Sequence, residues 1–132
     1  MKLLLLTIAV LSFSGCNESI GFAQVSDERL AMAIYYAEGG RAAQYPFGIR
    51  SVRCVGYTEC KERCKATIRH NRRRFAQITG KGHESFIDYL ARRYRTSKRG
   101  TLPPSDLKAI AVWEHNVKCI LAKEGYRNAN IE

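Results

Sequence analysis

The sequence predicts a small, mainly α-helical domain that is cross-linked by disulfide bonds. A short irregular or β segment is expected after its first helix. Apolar residues recur at helical spacing in four segments of the 132-residue chain. Glycine and proline residues separate these segments. The cysteine content suits an exported chain, in which an even number of cysteines reads as a disulfide framework.

The N-terminal segment predicts export. Lys2 precedes an apolar run over residues 3–11, which is too short to span a bilayer and is typical of a signal peptide. Small residues at Gly21 and Ala23 favour cleavage after Ala23, which leaves a single domain over residues 24–132 after a 1–23 signal peptide. Alternatively, residues 13–16 (Phe-Ser-Gly-Cys) resemble a lipoprotein signal with Phe in place of the usual Leu, and Cys16 would then carry lipid. Either cleavage predicts a periplasmic or extracellular protein, in the second case an outer-membrane lipoprotein, with no transmembrane segment after signal removal.

The chain is strongly basic. Twenty-two Lys and Arg residues against 12 Asp and Glu residues give a formal net charge of +10. Such a charge attracts polyanions in general, including nucleic acid, lipopolysaccharide and wall polymers. Charge alone does not choose among them. We expect no dedicated nucleic-acid site.

Four cysteines remain after either cleavage, and they predict two disulfides. Cys60 and Cys64 are four apart on a predicted helix, a poor geometry for a bond between them. We favour Cys54–Cys60 with Cys64–Cys119, and the crossed alternative is Cys54–Cys64 with Cys60–Cys119. A zinc site that uses these cysteines with His70 or His83 is the alternative, which the oxidising surroundings of an exported chain disfavour. We expect no metal and no cofactor.

The first helix begins after Ser26, a favourable N-cap, and ends at Gly39-Gly40. Residues 41–57 look irregular, with a possible short strand at 52–55. The second helix runs from Thr58 to before Gly80. One of its faces carries an inward stripe: Cys60, Cys64, Ile68, Asn71, Phe75 and Ile78.

The opposite face of the second helix predicts a solvated basic cluster, formed by Arg69, Arg72, Arg73 and Arg74. A third helix is expected over about 84–95, with Phe86, Ile87, Leu90 and Tyr94 facing inward. The fourth follows Ser105 or Asp106 and ends at Gly125. Its predicted apolar face comprises Leu107, Ile110, Ala111, Val117, Ile120 and Leu121, with Trp113 and Asn116 beside it.

Glu38 is the candidate catalytic residue. The negative end of a helix dipole disfavours a carboxylate, and Tyr35 and Tyr36 offer low-polarity walls, so a protonated acid is favoured. Such an acid can protonate a leaving oxygen. The alternative is a structural, exposed helix-end carboxylate. No nucleotide-binding glycine motif or serine-nucleophile elbow is present, which leaves acid–base chemistry as the candidate class.

Ordered motifs resemble the catalytic domain of lysozyme-like lytic transglycosylases. Residues 37–40 (Ala-Glu-Gly-Gly) and 45–49 (Tyr-Pro-Phe-Gly-Ile), followed by Ser51, resemble that family's catalytic segment. Later motifs continue the resemblance to about residue 121: residues 64–68 with Asn71, residues 86–90 with Tyr94, and Trp113 with Asn116. The chain departs from the large families in its short loop, which lacks a Ser after Glu38 and a Gln after residues 48–49.

The resemblance implies a lysozyme-like fold and peptidoglycan glycan strands as the substrate. The resemblance implies that Glu38 acts first as the general acid and then as the base. It also implies that the backbone of Gly48 and Ile49 lines the glycan cleft. Ser51 would bond the substrate's N-acetyl group. Tyr94 and Asn116 would form the far wall, although a core position is an equal alternative for Tyr94 and the favoured one for Trp113.

The acidic residues favour a one-acid reaction. A two-carboxylate glycosidase needs a second acid in the cleft, but Glu59 and Asp88 both read as helix residues with structural roles. We therefore expect lytic transglycosylase-type cleavage of the MurNAc–GlcNAc β-1,4 bond. The alternatives are a lysozyme-like muramidase, a non-catalytic cationic module that binds wall polymer, and a domain serving a secretion or phage assembly.

Overall fold

The computed structural model describes residues 25–48, 53–78, 85–95 and 104–129. These residues form helices α1 (Asp27–Ala37), α2 (Gly56–Gln77), α3 (Phe86–Arg95) and α4 (Pro104–Ala129), with one 3-10 turn at Gly40–Ala42. The mainly helical class is confirmed. No strand occurs among the described residues, and residues 53–55 of the expected strand are irregular. The predicted signal peptide and Cys16 lie outside them.

Helix α1 is the central element, and it packs against α4 and α2. Its start follows the prediction, because the Ser26 side chain accepts a hydrogen bond from the N–H of Arg29 at 3.2 Å. Its buried side is lined by residues that are at most 1 % exposed: Leu30, Ala31, Ala33 and Ile34. Gly39 follows the helix at φ +104°, a left-handed conformation that ends it as predicted.

Helix α2 begins two residues earlier than predicted, at Gly56. The Glu59 carboxylate accepts the N–H of Val55 at 3.1 Å, which satisfies a donor at the helix start. The predicted inward stripe is buried at its first four positions and partly buried at Phe75. Ile78 is 39 % exposed because the helix ends at Gln77.

One predicted disulfide is confirmed, since Cys54 and Cys60 are bonded with an S–S distance of 2.06 Å. The predicted Cys64–Cys119 pair is wrong, and so is the crossed alternative. Cys64 is a buried free thiol whose sulfur lies 3.3 Å from the Tyr94 hydroxyl. Cys119 does form a disulfide, though not with Cys64. The spacing of the cysteines does not reveal that Cys64 is buried beside Tyr94 of α3.

Helix α3 starts with a reciprocal cap. Asp88 accepts the Ser85 N–H at 3.0 Å, and the Ser85 hydroxyl accepts the Asp88 N–H at 3.2 Å. The predicted inward residues Phe86, Ile87 and Leu90 are buried.

Helix α4 is longer than predicted. It begins at Pro104, where proline's missing N–H costs nothing, and continues through Gly125 to Ala129. Its buried face is formed by Ile110, Trp113, Val117 and Leu121. Leu107 and Ala111, predicted inward, lie beside this face and are exposed. In the described part of the chain, no helix is both long and apolar enough for a membrane span.

Arg72 corrects the prediction of a solvated basic face. Its Nε donates to Asp27 Oδ1 at 2.9 Å, and its guanidinium donates to the Val25 carbonyl. The same group lies 4.7 Å from the centre of the Phe86 ring. Arg72 therefore joins α2 to the start of α1 and to α3, whereas Arg69, Arg73 and Arg74 are exposed as predicted.

Candidate functional site

Glu38 is the C-cap of α1, and its carboxylate reaches across the core to α4. Its backbone N–H still bonds the Ile34 carbonyl at 2.9 Å, which holds the residue in the helical line. Carboxylate oxygen Oε1 accepts a hydrogen bond from the indole Nε1–H of Trp113 at 2.8 Å. Trp113 is 2 % exposed. A buried indole on α4 thus sets the direction of the Glu38 side chain.

Tyr94 and Gly48 complete the surroundings of Glu38. The Tyr94 ring stacks on Trp113 with centroids 5.2 Å apart. A Cβ on Gly48 would lie 2.8 Å from Glu38 Oε1 and 2.9 Å from Tyr94 Cε1. Gly48 also has φ +69°, which favours glycine. The absent side chain therefore lets the Gly48 backbone pack closely on Glu38 and Tyr94.

The groups around Glu38 are neutral. Burial raises the pKa of the Cys64 thiol to about 11, and the Glu38 charge adds to this effect. Burial, the neighbouring thiol and Glu38 together raise the pKa of Tyr94 well above its ordinary value. Glu38 therefore lies beside an uncharged Cys64–Tyr94 pair.

The two oxygens of Glu38 differ in their contacts. Oε1 accepts the indole N–H of Trp113 at 2.8 Å. Oε2 accepts no hydrogen bond within the described part of the chain. One oxygen therefore fixes the side chain, and the other remains able to exchange a proton with a ligand.

Of the other predicted substrate-binding residues, Asn116 is the one that the structure describes, and it is not bonded to Glu38. Asn116 is exposed on α4, one turn after Trp113. No hydrogen bond or ion pair joins it to Glu38, Gly48 or Tyr94 within the residues described. Ile49 and Ser51 lie outside the described residues. The structure thus brings together Glu38, Gly48 and Tyr94, and Trp113 contacts both Glu38 and Tyr94.

The candidate second acids have structural roles. Glu59 caps α2 and forms an ion pair with Arg63 at 3.5 Å. Asp88 caps α3 and accepts a bond from Lys118 Nζ at 2.8 Å. Burial raises the pKa of Asp88, but hydrogen bonds from Glu114, Lys118 and Ser85 lower it more, so its net value lies well below the ordinary one.

Glu114 is a titratable residue that sequence reasoning missed. Its carboxylate bonds Lys118 Nζ at 2.6 Å. Burial, followed by the bond to Asp88, raises the pKa of Glu114. The i, i+4 spacing of Glu114 and Lys118 predicts their pairing, but their meeting with Asp88 depends on how α3 packs against α4.

A cavity of about 1360 Å³ lies beside Glu38, between the end of α1, the following turn and the start of α2. Glu38 is not among its described lining residues, so the cavity and the carboxyl group are neighbours and not one site. The sequence did not predict the cavity, because its walls come from segments that contact only after folding. In the described ranges, no group of three His, Cys, Asp or Glu residues could hold a metal ion.

Comparison with models of protein families, with curated proteins and with solved structures finds no match to this chain. The fold and the site define a mainly helical domain with a partly buried carboxyl group held at a helix end. Any assignment of function therefore rests on the contacts of Glu38 and on its sequence motif.

Proposed function

We propose that the protein is an exported peptidoglycan-cleaving enzyme with a lysozyme-like fold and lytic transglycosylase-type chemistry. Its substrate is the MurNAc–GlcNAc β-1,4 bond of glycan strands. The proposal rests on the hydrogen bonding of the Glu38 carboxyl group. Its Oε1 accepts a hydrogen bond from Trp113 Nε1 at 2.8 Å, and its Oε2 accepts none from the described residues. The resemblance of residues 37–49 to the family's catalytic segment supports the same role.

The reaction needs one carboxyl group used twice. Protonated Glu38 donates its proton to the glycosidic oxygen, the bond from muramyl C1 to that oxygen breaks, and the N-acetylglucosamine hydroxyl leaves. The resulting carboxylate then accepts the proton of the muramyl 6-hydroxyl. That oxygen bonds to C1 and closes a 1,6-anhydro ring. Glu38 is protonated again at the end, so the reaction consumes no water and needs no nucleophile from the protein.

The surroundings of Glu38 support the one-acid reaction over hydrolysis. A hydrolase needs a second carboxylate about 5–9.5 Å from the first. Glu59 and Asp88, the candidates for that role, are engaged at the starts of α2 and α3. Cys64 and Tyr94, which lie close to Glu38, are kept neutral by burial. A lysozyme-type muramidase remains the alternative enzyme.

Export and charge support this substrate. The apolar run over residues 3–11 is typical of a signal peptide, which would take the protein to the compartment of the wall. The net charge of +10 favours approach to an anionic wall. A role in a secretion or phage assembly agrees with the same chemistry, because such assemblies must pass through peptidoglycan.

The deciding experiment is digestion of purified sacculi by wild type and by Glu38→Gln, with the soluble products identified by mass spectrometry. Glutamine keeps an oxygen acceptor for Trp113 but cannot transfer the proton. We expect anhydromuropeptides from wild type and none from the variant. Muropeptides with a reducing end would instead show hydrolysis, and the absence of any product from wild type would overturn the enzyme proposal.

A non-catalytic cationic module is the second candidate. The exposed guanidinium groups of Arg69, Arg73 and Arg74 on α2 favour it. It predicts that Arg73→Gln with Arg74→Gln lowers binding to sacculi, whereas Glu38→Gln changes nothing in any assay. A loss of products in Glu38→Gln at unchanged sacculus binding would exclude this candidate as the whole function.

A further inference from the structure

The cavity beside Glu38 has an aromatic floor. Tyr35, Phe47 and Tyr57 contact one another, with ring centroids 5.1–5.6 Å apart. The Tyr57 hydroxyl also contacts the sulfur of Met32 at 3.1 Å, which fixes the ring against α1. The Cys54–Cys60 disulfide braces the wall that carries Tyr57. The floor is therefore a preformed apolar surface.

The rim of the cavity is cationic. Arg41 and Arg53 are the charged residues among the described lining, and both are exposed. Neither forms an ion pair with a described residue, although most basic side chains of α2 are paired with acids. Tyr36 and Tyr45, which are 56 % and 40 % exposed, add ring faces and hydroxyls at the opening. Two exposed guanidinium groups beside an aromatic floor suit a ligand that joins carboxylates to an aliphatic chain.

The cavity and the Glu38 carboxyl share one stretch of backbone. Gly39 lines the cavity and directly follows Glu38. Phe47 lines the cavity, and the next residue, Gly48, packs on Glu38 Oε1. A sugar bound at Oε2 of Glu38 with a substituent that enters this neighbouring cavity would bring that substituent to Arg41 and Arg53. On a muramyl residue that substituent is an acidic peptide.

We propose that this cavity binds the acidic peptide side chain of peptidoglycan, with Arg41 and Arg53 holding its carboxylates and the tyrosine-rich floor contacting its aliphatic part. The inference rests on the proposed function and adds to it a preference for peptide-bearing strands. Carboxylates bound by guanidinium groups form strong, geometrically selective bonds. Uncharged glycans such as chitin fragments would lack them.

Binding of soluble fragments to the Glu38→Gln protein tests the inference without cleavage. The probes are a GlcNAc–MurNAc tripeptide muropeptide, the same disaccharide without its peptide, and chitotetraose, with affinities measured by calorimetry. Arg41→Gln with Arg53→Gln is the test variant. Arg93→Gln with Lys108→Gln is the matched control, because both side chains are exposed, do not line the cavity and carry the same total charge.

We expect the muropeptide to bind about tenfold more tightly than the peptide-free disaccharide, a difference of about 1.4 kcal/mol. The test variant should abolish this difference, and the control should keep it. Equal affinity for the two disaccharides, or equal behaviour of test and control variants, would overturn the inference. The sacculus digestion remains separate: if wild type releases no products, the proposed function fails, while these affinities still decide whether the cavity recognises the peptide.

Discussion

The indole N–H of Trp113 donates a 2.8 Å hydrogen bond to Oε1 of Glu38 across 75 positions of sequence. The bond joins the end of α1 to the middle of α4, the two helices whose packing forms the main helix contact of the domain. A polar bond inside this contact constrains the angle at which Glu38 leaves its helix. Stability and side-chain placement at the site are therefore linked.

Trp113→Phe should lower both stability and activity. Phenylalanine keeps a ring beside Tyr94 but leaves Glu38 without its donor. We expect a loss of about 1–3 kcal/mol in the free energy of unfolding, because a partly buried carboxyl oxygen is left without its hydrogen-bond donor. Urea unfolding of Trp113→Phe, Glu38→Ala and the double variant measures the coupling. Additive losses in this cycle would contradict the structural role given to the bond.

Gly48→Ala should be more damaging than Gly56→Ala. Both glycines have positive φ, +69° and +77°, so each substitution carries a conformational cost of about 1–2 kcal/mol. A Cβ at Gly48 would also meet Glu38 and Tyr94 within 3 Å, whereas one at Gly56 would meet nothing within 4 Å. The difference between the unfolding free energies of the two variants therefore measures the cost of the steric clash at Gly48. We expect this difference to be about 1–3 kcal/mol. Only Gly48→Ala should reduce release of muropeptides.

Glu59→Gln and Asp88→Asn should leave the reaction products unchanged. Each removes a charge from a helix cap and costs about 0.5–2 kcal/mol of stability. Under the one-acid mechanism, both variants still release anhydromuropeptides at 25 °C, provided that they remain folded. The mass spectrum of the digest is the measurement. If either variant is folded yet as inactive as Glu38→Gln, a second carboxyl group takes part and the mechanism is wrong.

Arg72→Gln and Arg73→Gln should differ in stability although they are neighbours. Arg72 bonds Asp27 and the Val25 carbonyl and lies over the Phe86 ring. Its replacement should cost about 1.5–3 kcal/mol. Arg73 is exposed, so its replacement should stay within about 0.5 kcal/mol. Chemical denaturation of both variants checks this, and equal stabilities would show that the Arg72 contacts contribute nothing.

Stability should fall as the pH rises from 9 to 11, partly because of Cys64. Burial raises the pKa of this thiol from 9.0 to about 11 in the folded protein. Below pH 9 the thiol is protonated in both states, and its contribution is fully present. Above pH 9 the Cys64 thiol ionises first in the unfolded chain, so the free energy of unfolding decreases until the thiol of the folded protein also ionises near pH 11. The total decrease is about 2–3 kcal/mol.

Cys64→Ser is the control for this pH effect. Serine keeps a donor beside the Tyr94 hydroxyl but does not ionise in this range. Its unfolding free energy should therefore vary less steeply with pH between 9 and 11 than that of wild type, as measured by urea titration at each pH. Parallel profiles for the two proteins would show that Cys64 ionisation is not responsible.

Much of the helical framework was predictable, because its signals are local. Ser26 caps α1 through a bond to a residue three positions away, and Gly39 ends it through its own backbone conformation. The Cys54–Cys60 bridge closes a loop of short sequence separation. The end of α4 was predicted at Gly125, but the helix continues to Ala129, since a lone glycine weakens a helix without stopping it.

The sequence by itself determined the helical class, the limits of α1 and the place of Glu38 at its end, since these depend on neighbouring residues. Tertiary structure alone decided which groups Glu38 meets. Trp113, Tyr94 and Gly48 come from three distant segments, and burial of Cys64 against Tyr94 leaves its thiol free. Contacts of this kind depend on the angles at which helices pack, and no local pattern encodes those angles.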